Sequence, residues 1–149
     1  MHRNSPGEVL PEFPPFTHAD PKTNNGELKP WTSVNSILES IPCDAENHNI
    51  EELMSRGFHG VPWSGESIVT RCITTHGGQN YHPSGRRPFT DREFAALQGF
   101  PHCHKFTSVN VKKQIGNAVP PTIAKVLFQS IKKAFEKADG VEPDHITID

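Results

Sequence analysis

The 149-residue sequence is poor in the residues that build a large independent core. Hydrophobic residues make up 34% of it, against roughly 45–50% in typical soluble domains, and it holds a single tyrosine. Fourteen prolines and eleven glycines add many positions at which regular backbone is interrupted. The length fits one domain, but the composition predicts a segment that packs against something larger.

Cysteines and membrane-type segments are also scarce. The three cysteines are an odd number without a pairing pattern, and no apolar run is long enough to span a bilayer. No signal-peptide pattern precedes them. These features predict a protein of a reducing intracellular compartment without a membrane partner.

Ligand pairs of the kind that bind zinc are missing as well. His102, Cys103 and His104 lie together, and Cys72 and His76 precede them, but two spaced pairs of the C-x2-C or H-x3-H type do not occur. We therefore predict solvated or loop-packed histidines and no metal.

Charge is distributed unevenly, although the net charge is only −2. Residues 1–66 carry ten acidic and four basic residues, and residues 67–133 carry two acidic and ten basic ones. Residues 134–149 carry five acidic residues and one lysine. A basic middle between acidic flanks is typical of a nucleic-acid interface, and scattered solvated charge is the alternative that remains open.

The first half predicts two short helices and a strand. Thr32 or Ser33 can cap a helix that ends before Pro42, and Asn49 can cap a second that ends at the next glycine. The β-branched stretch 67–75 predicts a strand. The proline-punctuated start predicts an extended connector.

The second half predicts a loop and two helices. Residues 76–88 concentrate glycine, asparagine and proline, which favours a loop. Residues 90–93, Thr-Asp-Arg-Glu, have the pattern of a capping box and predict a helix that runs to Gln98. A proline pair starts the longest predicted helix, which has one apolar face and ends at Gly140.

Two stretches of the second half carry a family resemblance. Residues 86–101 read Arg-Arg-Pro-Phe-Thr-Asp-Arg-Glu-Phe-Ala-Ala-Leu-Gln-Gly-Phe-Pro, and residues 112–127 read Lys-Lys-Gln-Ile-Gly-Asn-Ala-Val-Pro-Pro-Thr-Ile-Ala-Lys-Val-Leu. In this order they resemble the ninth and tenth of the ten ordered motifs of DNA (cytosine-5) methyltransferases. The upstream stretches Pro-Pro-Phe-Thr-His and Lys-Pro-Trp-Thr-Ser-Val are similar to the segment that leads into the target-recognition region of that family.

The resemblance implies an α+β fragment, the C-terminal part of a Rossmann-like α/β S-adenosylmethionine-dependent methyltransferase with a small target-recognition domain. Residues 1–42 would connect to a missing N-terminal catalytic core, and residues 43–85 would form the target-recognition region. Residues 86–139 would hold both motifs and a helix that returns to the catalytic domain, and residues 140–149 an acidic tail. The expected partners are double-stranded DNA and the catalytic core.

The tenth motif, Gly116-Asn117-Ala118-Val119, is the predicted cofactor-binding element. Gly116 permits a tight turn before a helix whose free N–H groups and positive dipole end suit an anionic group. The resemblance implies S-adenosyl-L-methionine here, with Asn117 and Val119 lining its pocket. The alternative is an ordinary Gly-Asn turn before a helix that starts with proline.

Five residues are predicted to bind DNA, namely Arg86, Arg87, Arg92, Gln79 and Asn80. Guanidinium groups at a loop rim suit phosphate oxygens, and amides can read base edges in the major groove. Each assignment has an alternative that stays open. The ninth-motif helix would only brace the recognition region and not contact DNA. The glycine-rich loop that holds Gln79 and Asn80 would be structural, with Tyr81 packed inward.

No catalytic residue is predicted in this chain. The family nucleophile is a cysteine between proline and glutamine, whereas Pro42-Cys43 is followed by Asp44. The Glu-Asn motif and the Gly-rich cofactor loop of the family also lack a counterpart at the family's spacing. We therefore expect no methyl transfer from the chain alone, and a non-catalytic DNA-binding or regulatory module derived from the family is the alternative function.

The stretch from Gly77 to Gly85 resembles fungal members more than bacterial ones. This resemblance predicts a location in the nucleus, and a bacterial protein would instead act in the cytoplasm.

Overall fold

The computed structural model describes residues 11–56, 60–68, 72–76, 81–107 and 109–140. The chain divides into two compact units. One unit is Thr17–Pro121, and the other combines Met1–Phe16 with Thr122–Asp149. Residues 43–85 and the ninth motif both contribute to the core of the first unit, through Ile73 and through Phe89 and Phe94. The predicted divisions after residues 42 and 85 stay predictions.

The fold is mixed and mainly helical. Two strands of two residues each, β1 (His18–Ala19) and β2 (Lys29–Pro30), pair in parallel with His18 opposite Lys29 and Ala19 opposite Pro30. The helices are α1 (Val34–Glu39), α2 (Ile50–Ser55), α3 (Asp91–Leu97), α4 (Val111–Asn117) and α5 (Pro121–Ala138).

Side-chain caps fix the starts of three helices where the sequence predicts them. The Ser33 side chain accepts a hydrogen bond from Ser36 N–H at the start of α1, and the Asn49 side chain accepts one from Glu52 N–H at the start of α2. Thr90 begins α3 with a complete capping box. These predictions are confirmed, and the predicted end of α2 at residue 57 lies outside the described residues.

The structure differs from the sequence-based expectations near residue 75 and at the tenth motif. The described residues of the predicted strand 67–75 form no strand, and Ile73 instead enters the core with 9% of its surface exposed; residues 69–71 lie outside the described residues. Residues 111–117 form a helix that the sequence did not predict. Ile73 gains its burial from packing against helices, so its β-branched side chain needs no neighbouring strand.

The core of the larger unit lies where α1, α3 and α4 meet. Its buried members are Val34, Ile73, Phe89, Phe94, Ala95, Phe106, Val111 and Ile115. The ring centroids of Phe89 and Phe94 are 5.4 Å apart in an edge-on arrangement, which is a favourable aromatic geometry. This core fixes α3 and α4, which carry the ninth and tenth motifs.

Helix α5 has a different environment. None of its eighteen residues, all of which the structure describes, is buried. Ile123, Val126, Phe128 and Phe135 are exposed apolar side chains on it. Within the described part of the chain, no helix is long and apolar enough to cross a membrane.

Candidate functional site at α3 and α4

A buried ion pair holds the start of α3. Both terminal nitrogens of Arg87 donate to the carboxylate of Glu93 at 2.7 Å, and only 5% of Arg87 and 3% of Glu93 are exposed. The same carboxylate accepts from Thr90 N–H at 2.7 Å, while Thr90 Oγ1 accepts from Glu93 N–H at 3.1 Å. The capping box and the ion pair are therefore one network.

The charge of Glu93 is stabilised by these partners. Burial by itself would raise the pKa of the carboxyl, but the hydrogen bonds from the Arg87 side chain and from Thr90 N–H, together with the positive charges nearby, outweigh it. The pKa of Glu93 is consequently held below its ordinary value. Glu93 is thus a buried carboxylate and not a proton donor near neutral pH.

Two histidines, His48 and His82, flank this network. His48 Nδ1 lies 2.8 Å from Thr90 Oγ1, whose hydroxyl can donate to it because the oxygen already accepts from Glu93 N–H. His82 Nδ1 accepts from Ser84 N–H at 3.1 Å. Burial lowers the pKa of both histidines, and the positive charge of Arg87 lowers them further. His82 Nε2 is 3.7 Å from the Glu93 carboxylate, which favours the protonated form, but this effect is smaller than burial.

Arg92 is the most deeply buried charged side chain of α3, with 1% of its surface exposed. Its Nε donates to Glu46 O at 2.9 Å, its Nη2 donates to His104 O at 3.0 Å, and its backbone N–H donates to Asn47 O at 3.1 Å. Its guanidinium carbon lies 5.6 Å from the ring centroid of Phe106. Arg92 therefore ties α3 to the segments at residues 46–47 and 104.

These environments change the predicted DNA contacts. The guanidinium groups of Arg87 and Arg92 are buried. Protein groups accept hydrogen bonds from both terminal nitrogens of Arg87 and from Nε and Nη2 of Arg92, while Nη1 of Arg92 is buried without a hydrogen-bond partner among the described residues. Because neither group is accessible, we reassign both residues from phosphate binding to structural roles. Arg86 remains exposed and keeps its predicted role. Gln79 and Asn80 lie outside the described residues. The alternative in which the ninth-motif helix acts as a brace describes α3 better.

The predicted cofactor residues are at the end of α4. Gly116 and Asn117 form its last turn, so the tight turn expected at Gly116 is replaced by helix, and Ala118 follows in extended conformation. Gln98 Nε2 donates to Ala118 O at 3.0 Å and tethers this segment to the end of α3. Asn117 is exposed and Val119 is 63% exposed, so an amide and an apolar side chain are accessible to a ligand.

Gly116 is required by a close approach of two backbones. A Cβ atom at this position would lie 2.5 Å from Thr75 N and 2.6 Å from Thr74 C, which is closer than real contacts allow. Neither neighbour is a side-chain tip that could move aside. The tenth motif is therefore packed directly against the segment that leads into the glycine-rich loop.

A cavity of about 810 Å³ lies beside α3 and α4. Its walls are one face of α2, the first residues of α3 and the first turn of α4, together with Thr75 and His76. Glu52 and Arg56 pair with each other on the α2 wall, and Lys112 Nζ is 3.8 Å from Asp91 Oδ1 across α4 and α3. In the described residues, no three His, Cys, Asp or Glu side chains lie close enough to hold a metal.

The protein-family model for C-5 cytosine-specific DNA methylases matches residues 15–133. The chain belongs to this family. The match includes the whole ninth motif, the whole tenth motif and the segment upstream of them. The sequence-based resemblance to the family is thereby confirmed, whereas a fungal origin stays a prediction.

The chain has relatives in plants and bacteria, among other organisms. It is 31% identical over 133 residues to the DNA (cytosine-5)-methyltransferase 1A of Oryza sativa subsp. japonica, covering 85% of this chain and 8% of the rice protein. It is 42% identical over 107 residues to the type II methyltransferase M.BbvI of Brevibacillus brevis, covering 70% of this chain and 29% of that protein. The chain spans only a small part of the length of these relatives.

The cavity beside α3 and α4 was not predicted from the sequence. Its walls come from residues near 50, 75, 90 and 110, and no local pattern reports that they converge. The adjacent lysines Lys112 and Lys113 were counted only as part of the basic middle. This pair of adjacent lysines is the local sequence signal that could have indicated the charged wall of the cavity.

Proposed function

We propose that the chain is the C-terminal part of a DNA (cytosine-5-)-methyltransferase, which transfers a methyl group from S-adenosyl-L-methionine to C5 of cytosine in DNA. In this proposal, it folds back onto a Rossmann-like catalytic core, with residues 43–85 as its target-recognition region. The observation that carries the proposal is the family match over residues 15–133, which includes both motifs in order. DNA in the nucleus would be the substrate in a eukaryote, and cytoplasmic DNA in a bacterium.

The cofactor would be held at the end of α4. S-adenosyl-L-methionine supplies the methyl group when bound, and this chain would contribute one wall of its pocket. The Asn117 amide can both donate and accept hydrogen bonds, and the exposed Val119 side chain offers apolar contact. Gly116 and Ala118 would set the position of these side chains through the Thr74–Thr75 contact and the bond from Gln98. The donor set fits the polar amino-acid end of the cofactor.

The nucleophile would come from the catalytic core and not from this chain. Cys43 is exposed, and the residue after it is Asp44, so it lacks the environment and the sequence of the family's cysteine. We expect no transfer of tritiated methyl groups to cytosine-rich duplex DNA by the chain alone. Turnover that disappears in Cys43→Ser would overturn this part of the proposal.

The cofactor role is tested by Asn117→Ala in the protein that carries this chain together with its catalytic core. Loss of one hydrogen bond to a charged partner costs about 1.5–3 kcal/mol, so the affinity for S-adenosyl-L-methionine should fall roughly 10- to 150-fold. Val119→Ala should reduce it less, because only apolar contact is lost. The measurement is calorimetric titration with the cofactor.

DNA binding measured without cofactor is the control for this experiment and should not change in either variant. If Asn117→Ala leaves cofactor affinity within about twofold in a folded protein, Asn117 only terminates α4. The assignment of the cofactor site to the tenth motif would then be rejected.

A further inference from the structure

The cavity between α2, α3 and α4 offers a binding site that neither motif accounts for. We propose that it binds the phosphodiester backbone of duplex DNA, with Lys112 and Lys113 as its principal cations. This inference rests on the proposed function for the choice of DNA, and it replaces the phosphate contacts expected of Arg87 and Arg92. It is distinct from the cofactor residues at the opposite end of α4.

The charges around the cavity leave an uncompensated cation. Arg56 is paired with Glu52, and Lys112 has one distant carboxylate neighbour in Asp91. Lys113 is exposed and forms no ion pair within the described part of the chain. The three cations and two carboxylates on the walls therefore leave an excess of one positive charge, and a phosphate oxygen would compensate it.

The rest of the lining supplies neutral hydrogen-bonding groups. Asn47 and Asn110 contribute amides, and Thr75 contributes a hydroxyl. Asn49 and Thr90 also line the cavity, but their side chains are engaged in the caps of α2 and α3. Asparagine and threonine side chains are common partners of phosphate oxygens, and such contacts position a protein on DNA without reading its sequence. A cavity lined in this way suits a backbone that carries one charge per nucleotide.

The backbone around the cavity is also unusual. In the described residues, Asn47 and Asn110 are the two non-glycine residues with positive φ, at 63° and 56°, and both line this cavity. Left-handed backbone costs free energy in non-glycine residues and is concentrated at functional sites. At Asn110, the left-handed backbone turns the chain into the first turn of α4. At Asn47, it turns the chain beside α2, so that these two walls of the cavity face one another.

The experiment compares two adjacent lysine pairs in the full 149-residue chain. Lys112→Ala with Lys113→Ala removes the cavity pair, and Lys132→Ala with Lys133→Ala removes a matched pair on α5. In each pair, the first lysine has one carboxylate neighbour, at 3.8 Å in the cavity and at 3.2 Å on α5. Binding to a mixed-sequence DNA duplex is measured by fluorescence anisotropy across a series of salt concentrations.

We expect the cavity variant to reduce the slope of log K against log salt by about 1 to 2, because fewer counterions are released. The α5 variant should keep the wild-type slope. Lys112→Arg with Lys113→Arg should also keep it, since the charges remain. If circular dichroism shows that the double alanine variant is unfolded, Lys113→Ala alone carries the test, with an expected reduction of about 1.

Three results would overturn the proposal. These are an unchanged slope in the cavity variant, an equal loss in both lysine-pair variants, and an absence of duplex binding by the wild-type chain. Each of them leaves the cofactor titration of Asn117→Ala unaffected, so failure of the DNA site and failure of the proposed function can be told apart.

Discussion

At the scale of single residues, Arg86 and Arg87 are adjacent arginines with opposite environments. Arg86 is exposed, whereas Arg87 is buried and makes two hydrogen bonds to Glu93. A buried ion pair adds little net stability relative to apolar replacements, but removal of one partner leaves an uncompensated buried charge. The two residues therefore provide a matched pair for mutation.

We predict that Arg87→Ala lowers the free energy of unfolding by about 3–5 kcal/mol, because the Glu93 carboxylate is left buried without its cation. Arg86→Ala should change it by less than about 0.5 kcal/mol, as is usual for an exposed side chain. Urea unfolding followed by tryptophan fluorescence gives both values. A similar small effect of the two substitutions would contradict the buried pair.

At this scale, the sequence predicted the helix caps, but it did not predict which arginine side chains are buried. Ser33, Asn49 and Thr90 act within three residues of themselves, so their roles are local. Which of two adjacent arginines turns inward depends on the position of Glu93 and on the core beneath α3. Arg92 likewise looked like a surface residue in the first turn of a helix, and its partners at residues 46 and 104 are remote in sequence.

At the scale of elements, α3 depends on a network that responds to pH. The folded-state pKa values of His48 and His82 are lowered by burial, so the unfolded chain binds more protons below about pH 6.5. Stability should therefore fall as pH drops from about 6.5 towards those lowered pKa values. The pKa of Glu93 is also lowered, which adds a second loss of stability as pH falls below about 4.3.

The measurement is the urea midpoint between pH 7.5 and 3.5. His48→Asn with His82→Asn keeps a hydrogen-bond acceptor near Nδ1 and should flatten the profile between pH 6.5 and about 5, while the acid loss due to Glu93 stays. The same substitution at His18, an exposed histidine outside the network, should leave the profile in place. A double variant that retains the wild-type slope above pH 5 would show that other groups cause it.

The elements themselves were predictable only where local signals were strong. Helices α1, α2, α3 and α5 begin at caps or prolines that the sequence displays. Helix α4 was missed because Asn110 adopts left-handed backbone and provides no side-chain cap, and because Gly116 near its end suggested a turn. Gly116 is there for its close contact with residues 74–75, which only the tertiary structure reveals.

At the scale of the whole molecule, the two units differ in how they are stabilised. Helices α3 and α4 of Thr17–Pro121 carry core residues such as Phe94 and Ile115, with 3% and 0% exposure. Helix α5 buries none of its residues, and an isolated helix of this length is only marginally stable in water. The low content of apolar residues predicted that the chain packs against something larger. It did not show that α5 is the element without buried residues.

We predict that amide hydrogens of α5 exchange faster than those of α3 and α4 in the 149-residue chain. An opening free energy that is lower by roughly 2–3 kcal/mol corresponds to exchange about 100-fold faster. The reason is that opening of α5 exposes little additional apolar surface, because Val126, Phe128 and Phe135 are already exposed. Addition of the proposed catalytic core should slow exchange in α5 by covering exposed apolar side chains of this helix, and should change α3 little. Equal protection of all three helices in the chain alone would mean that α5 is stabilised by contacts other than burial, and the proposed return of this helix to a catalytic core would lose its physical basis.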